Sequence, residues 1–229
     1  MADPPFSIGH APLFKGLSEE ELNVLQGFLH PRTVAAGADI ILEEQPGEVA
    51  YVLLSGSVKI HLQQRDGTEV ILAVARAGEV VGEMSLVDSL GRSATVETLE
   101  PTRLLWMDRE SFWRCLHAMP AMTYNLVELL SRRLRLADTH IEALASLSVP
   151  ARVARHLVAL AREYGEPAGT GVTIPIPLVQ SDIAAMVGAS RASVNQALGS
   201  LRRRGFLRAD RAHRITVLDV DGLARRAST

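Results

Sequence analysis

At 229 residues, 47% hydrophobic and 22% charged, the chain has apolar matter enough for two cores and an ordinary globular composition. The opening MADPPFSIGH has neither a basic start nor an apolar core, and no apolar run approaches a bilayer span, which predicts a cytoplasmic protein without signal or membrane anchor. The formal charge of −2 hides an asymmetry: residues 1–148 carry 12 Lys+Arg against 20 Asp+Glu, residues 149–229 carry 12 against 6, so the C-terminal part faces polyanions.

Cys115 is the sole cysteine, which excludes an intrachain disulfide, a thiolate zinc site and an iron–sulfur centre. The seven histidines form no HExxH pattern, so no metal is expected.

In chain order, residues 1–11 are rich in Pro and Gly and read as loosely held. LFKGLSEEELNVLQGFL, 13–29, reads as a helix in which Ser18 and Glu21 form a capping box and Leu22, Leu25 and Leu29 share a face. From Arg32 to Met107 come brief strand-like runs, at 33–35, 39–42, 51–55, 57–63, 69–75 and 94–107, separated by Pro-Gly, Ser-Gly and Asp-Gly turns. These predict an antiparallel roll. Gly47, Gly56, Gly67 and Gly78, spaced about eleven residues apart, are expected at its corners, and Ile60, Leu72 and Val74 on its inner face.

Within this region VVGEMSLVDSLGRSATVET, 80–98, has the chemistry of a phosphate trap. Gly82 can take positive φ and bring backbone close to a ligand, and Glu83, Met84 and Ser85 follow with amides that can form an anion-receiving concavity. Arg92 offers a planar fork of donors matched to paired phosphate oxygens, with the Ser93 hydroxyl and Ala94 next to it. Glu83 can accept from ribose hydroxyls or hold an arginine in place; both roles are compatible.

Asp108 to Ala118 reads as a short helix, and Pro120 opens the longest one, Ala121 to Leu147. Its Thr123, Val127, Leu130, Leu134, Ala137, Ile141, Leu144 and Ser148 follow alternating steps of four and three, the seam of a parallel two-fold dimer, while Leu126, Leu129 and Leu136 make a second apolar face. Ser148 can cap the next helix, 151–163, with Pro150 in its first turn, and GEPAGTG, 165–171, reads as a polar flexible loop.

Leu178 to Gly205 then reads as two short helices about a turn at Gly188, with small Ala184 at the crossing and Ser190 capping the second. The second helix presents Arg191, Ala192, Ser193, Asn195 and Gln196 to a major groove: Arg191 to guanine or a phosphate, Asn195 and Gln196 to adenine. Gln180, Ser190 and Arg202 complete the candidate DNA contacts, and Arg203, Arg204, Arg208, Arg211 and Arg214 add phosphate-directed charge ahead of the strand-like wing ITVLDV.

The pattern GEMSL…GRSA, followed by a long helix and a basic helix-turn-helix, resembles the CRP/FNR family of bacterial transcription regulators over about Leu13 to Leu218. The resemblance implies that 80–98 is a cyclic-nucleotide phosphate cassette, that Arg133 reaches back to Glu83, that Ser148-Val-Pro-Ala-Arg152 is the hinge to the DNA-binding domain, and that the loop at 165–171 can meet RNA polymerase. It also assigns Arg191 and Gln196 to base reading. Two places depart from the pattern. Ala137, Asp138 and Thr139 stand where cAMP-binding members place a Thr-Ser or Thr-Asn pair against adenine; ionised Asp138 accepts from adenine's amine, or from the two donors of guanine, or pairs with Arg135 or His140. Ala192 and Gln196 replace the glutamate and arginine common in the family, so the family's operator half-site is not carried over.

The expected architecture is α+β: a cyclic-nucleotide-binding, jelly-roll-like β-roll over 1–118, a dimerisation helix and hinge over 119–148, and a winged helix-turn-helix over 149–229. The expected function is a homodimeric regulator whose operator binding is controlled by cAMP, with cGMP, cyclic di-GMP or no ligand as the alternatives. No enzyme is expected, because the stretch beyond the hinge has no room for a catalytic domain.

Overall fold

The computed structural model describes residues 8–227, so residues 1–7 of the segment expected to be loosely held lie outside the described residues. The chain forms two compact units, one running to Gly67 and resuming over Ile71–Arg135, the other comprising Thr68–Val70 and Leu136–Thr229.

In the first unit, residues 8–11 are packed rather than loose. Between and within two 3-10 turns, Ile8–His10 and Pro12–Phe14, the apolar side chains of Ala11, Leu13 and Phe14 are buried to 1% exposure or less and Ile8 packs against the same core, while His10 is exposed. Helix α1 (Glu19–Gln26) begins with the expected box: Glu21 N donates to Ser18 Oγ, and Ser18 N donates to Glu21 Oε2 at 2.8 Å. Then come β1 (His30–Val34), β2 (Asp39–Ile41), β3 (Val49–Ser55), β4 (Ser57–Gln63), β5 (Glu69–Arg76), β6 (Val80–Val81), helix α2 (Met84–Asp88), β7 (Thr95–Thr98) and β8 (Thr102–Asp108).

These strands make two four-stranded sheets, ordered β1-β8-β3-β6 and β2-β7-β4-β5. The run 94–107, read as one strand, is therefore two strands in different sheets, parted at Leu99–Pro101, where proline has no N–H to continue a ladder. One core lies between the sheets, with Tyr51, Leu53, Val58, Val81, Val96 and Leu104 among its members. Residues of the opposite parity on β3, Ala50 and Val52, enter a second core with Leu25, Phe112, Met122 and Leu126 of the helices. Strand β3 is thus apolar on both faces, which its sequence VAYVLLS already requires. Each such fully buried side chain contributes roughly 1.5–3 kcal/mol.

Leu72, expected inside, is 44% exposed, and Ile71 is buried instead; β5 is an edge strand and its alternation breaks there. Gly56, Gly67 and Gly78 do take positive φ at corners. Gly47 does not, and its role belongs to the cassette described below. Helix α3 (Arg109–Ala118) is capped by Asp108, whose Oδ1 accepts from Ser111 N at 2.8 Å; that bond holds the carboxyl below its ordinary pKa. Helix α4 (Pro120–Ser146) follows.

The second unit carries α5 (Val149–Tyr164), β9 (Glu166–Ala168), β10 (Gly171–Ile174), α6 (Gln180–Val187), α7 (Arg191–Arg203), β11 (Leu207–Ala209), β12 (Ile215–Val217) and α8 (Val220–Arg226). The stretch 165–171, expected as a flexible loop, is mostly a β9–β10 hairpin: Gly169, with φ +62°, supplies the turn, and Pro167 sits on an edge strand, where its missing N–H costs no ladder bond. Ser148 occupies the N-cap of α5 but its side chain makes no cap bond, since Pro150 removes one of the N–H groups such a bond would satisfy. Helix α8 escaped the sequence reading. It is short and starts from Asp219, whose Oδ1 accepts from Gly222 N.

Candidate functional site

The cassette is built by a strand end, a short helix and the turn back into β7. Gly82, with φ +83°, turns the chain from β6 into α2; a Cβ there would fall 2.7 Å from Arg92 Nη1 and 2.8 Å from Ile41 Cδ1, so only glycine fits. Arg92 is 7% exposed, and Nη1 donates to Gly82 O at 2.9 Å and Ser85 Oγ at 2.8 Å, while Nη2 donates to Val49 O at 2.6 Å. Its Nε–H and second Nη2–H have no protein acceptor among the described residues. Burial pulls this guanidinium below its ordinary pKa and nearby Arg109 adds to that, opposed by Tyr51, Glu48 and Glu83. It remains a cation.

Glu83 is fully buried. Its Oε1 accepts from Arg133 Nη1 on α4, whose Nη2 also donates to Val80 O. Its Oε2 is buried with no hydrogen-bond partner among the described residues. A carboxylate oxygen taken from water and left without a donor carries a desolvation cost of about 1–3 kcal/mol or more, a cost that any donor reaching this atom would relieve. The cassette therefore sets a charged donor near an unsatisfied acceptor.

Of the other predicted cassette residues, Ser85 is buried against Arg92, Ala94 is buried at 5% exposure, and Met84 and Ser93 are exposed. Sequence reasoning missed three supports. Gly47 lets α2 close in: a Cβ there would meet Ser85 Oγ at 2.1 Å. Arg109 Nη2 donates to Gly47 O at 2.6 Å and Ser85 O at 2.8 Å, and its Nη1 to Leu86 O at 3.1 Å; Trp113 Nε1 also donates to Leu86 O, at 2.9 Å. These bonded partners stand 23 to 62 positions apart along the chain, so no local pattern announced them.

On α4, Val127, Leu134, Ile141 and Leu144 of the predicted seam are 53–65% exposed, and Tyr124 joins them at 71%. Leu126 of the second apolar face is buried at 5%, but Leu136 is 53% exposed, a correction: α4 has outrun the first unit's core by that turn. Asp138 and Thr139 are exposed, in the second unit.

The two helices expected over 178–205 are present as α6 and α7. Gly188 ends α6 in the left-handed region, and Ser190 caps α7, its Oγ accepting from Ser193 N at 3.2 Å and lying 2.9 Å from Ser193 Oγ. The two serines are thus engaged with each other, while Arg191, Ala192, Asn195 and Gln196 are exposed on one end of α7. Gln180 is half-buried at the start of α6 and Arg202 is exposed. Arg152 braces the turn, donating to Val187 O at 2.8 Å and Gly188 O at 3.2 Å as well as to Leu147 O at 3.0 Å, which satisfies carbonyls at two helix ends.

Away from these sites, Asp39, His61 and Glu97 on three adjacent strands bring ligand-type atoms within 4.8 Å of one another. Lys59 Nζ lies 3.0 Å from Glu97 Oε2, so a built-in ammonium already meets that charge. Among the described residues no helix is long and apolar enough to cross a membrane.

Comparison with known proteins gives the family. Residues 31–118 match the cyclic nucleotide-binding domain and residues 151–226 the Crp-like helix-turn-helix domain. The chain is 32% identical over 220 residues to the CRP-like cAMP-activated global transcriptional regulator of Mycobacterium tuberculosis, covering 96% of this chain and 98% of that one. It is 34% identical over 201 residues to the cyclic AMP receptor protein of Thermus thermophilus, covering 86% and 88%. A crystal structure of a CRP/FNR-family transcriptional regulator, also from Thermus thermophilus, superposes with a TM-score of 0.71 at 26% identity, covering 87% and 99%. The chain belongs to the CRP/FNR family, as a DNA-binding transcription regulator with a cyclic-nucleotide-binding domain.

Proposed function

We propose that the protein is a homodimer whose affinity for an operator is set by a cyclic nucleotide, cAMP in the first place. The observation that carries this is the buried, unpartnered Oε2 of Glu83 beside the Arg92 guanidinium. A ribose hydroxyl would satisfy the carboxylate, and the cyclic phosphate would take the Arg92 Nε–H and Nη2–H together with the Ser93 hydroxyl. Arg133, already bound to Glu83, makes α4 part of the same network, so occupancy biases the arrangement of two paired α4 helices. That arrangement sets the spacing of two α7 helices, productive at about 34 Å.

Both relatives named above carry cAMP in their names, which supports cAMP here. The second reading is cGMP: a carboxylate at Asp138 is an acceptor alone and suits the two adjacent donors of guanine at least as well as the single amine of adenine. The three-part organisation is β-roll 1–118, dimer helix and hinge 119–148, and reading domain 149–229, acting on chromosomal DNA in the cytoplasm, with the β9–β10 hairpin as the surface for RNA polymerase. The family is one of regulators rather than enzymes, and the cassette binds its ligand without chemistry on it.

The test is protection mapping of chromosomal fragments with and without each nucleotide. Defined palindromic footprints that strengthen at least tenfold with cAMP are expected. Footprints that ignore every cyclic nucleotide would leave a constitutive DNA-binding protein and remove ligand control.

A further inference from the structure

The last turns of α4 are fastened to α5 by a pair of side chains that neither nucleotide capture nor base reading uses. His140 Nε2 and His156 Nδ1 lie 3.1 Å apart, with the rings stacked at 5.0 Å and 16°. Both histidines are half-buried, and both belong to the second unit. Two neutral imidazoles can share one proton in an N–H···N bond. Once each ring is protonated the facing nitrogens are both donors, and the contact becomes a repulsion.

We propose that His140 and His156 form an acid-sensitive latch that keeps the end of the long helix on the DNA-reading unit, so that mild acid releases it and weakens DNA binding. The DNA consequence rests on the function proposed above; the latch itself does not.

The surroundings favour the neutral pair. Burial drives His156 down to about 3, with His140 adding to it, and burial followed by Arg155 lowers His140. Arg155 also crosses to α4, its Nη2 2.7 Å from Glu142 Oε2. Elements packed against α5 carry Asp182 on α6, Arg191, Arg202 and Arg203 on α7, and Asp221, Arg225 and Arg226 on α8. None of these seven is among the groups that act on either ring. The sign follows from His156: it protonates near 6.5 in the opened state and at about 3 in the closed state, with His140 shifted in the same direction, so closure is undisturbed above about pH 6.5 and is lost progressively as the pH falls below it.

Amide hydrogen exchange on the full chain, without DNA or nucleotide, reads the latch directly. Between pH 7.5 and pH 5.5 the opening constant across the end of α4 and the start of α5 is expected to rise roughly tenfold after correction for intrinsic exchange. The double variant His140→Leu, His156→Leu is expected to show no such rise. Retention of random-sequence duplex DNA should fall in parallel for the wild type beyond the fall seen in the variant. Should the variant fold poorly, a through-hydrogen-bond coupling between the two ring nitrogens in the wild type at pH 7.5 keeps the test open. Absence of that coupling, an opening constant that does not move with pH, or the same rise in a folded double variant overturns the latch. Opening without an added loss of DNA retention overturns its role in DNA binding, and loss of nucleotide control alone touches neither result.

Discussion

Replacing Arg92 with leucine is expected to weaken cyclic-nucleotide binding at least about a hundredfold, read by calorimetric titration with cAMP and cGMP. Two charge-assisted hydrogen bonds to phosphate at roughly 1.5 kcal/mol each give that factor. The variant also removes the donor from Gly82 O, Ser85 Oγ and Val49 O, so a loss of roughly 1–3 kcal/mol in stability is expected with it. Arg92→Lys separates the two effects: it keeps the cation but not the planar fork, and should recover part of the affinity. A folded Arg92→Leu protein that binds as tightly as the wild type would place the ligand elsewhere.

The second large effect is expected at the exposed stripe of α4. Leu134→Glu with Ile141→Glu should turn the dimer into a monomer by sedimentation and lower operator affinity about a thousandfold or more, since a single reading head loses the second half-site. The folded chain should tolerate the change, because the two side chains are 64% and 65% exposed within the protomer. In a paired seam the same carboxylates would be buried without partners, at several kcal/mol each. From Val127 to Leu144 the stripe covers about 26 Å of helix at ~1.5 Å per residue, long enough for more than two heptads of contact. A double variant that remains dimeric would remove the seam from α4.

The parts of this protein readable in advance were those encoded by local chemistry. Ser18-x-x-Glu21 can satisfy two helix-start donors by itself and Gly82 can take positive φ, so both features were evident without coordinates, whereas the leucine repeat on α4 placed Leu126 correctly but not the exposed Leu136. The family motif added the pairing of Glu83 with Arg133, fifty positions apart, and this contact is present. Local pattern failed where a tertiary partner decides the outcome. Gly47 reads as one more corner glycine, and only the close approach of Ser85 reveals its steric role. Arg109 reads as a surface cation at a helix start, yet its donors reach Ser85 O and Leu86 O of α2, Ser89 Oγ just past its end and Gly47 O in the loop between β2 and β3. The run 94–107 kept a strand-like composition across Pro101, so its division between two sheets was invisible. Likewise the polarity of GEPAGTG concealed a hairpin whose second strand is held by β12.

The proposed ligand control rests on an incomplete polar cluster: an arginine with donors to spare, and a glutamate with one oxygen served by Arg133 and the other unserved. A co-crystal structure with cAMP tests that most directly. The cyclic phosphate is expected on Arg92 Nε and Nη2, with a ribose hydroxyl donating to Glu83 Oε2 at roughly 2.5–2.7 Å, the length of a charge-assisted O–H···O bond. A nucleotide seated away from both side chains, or an Oε2 still without a donor in the complex, would contradict the account.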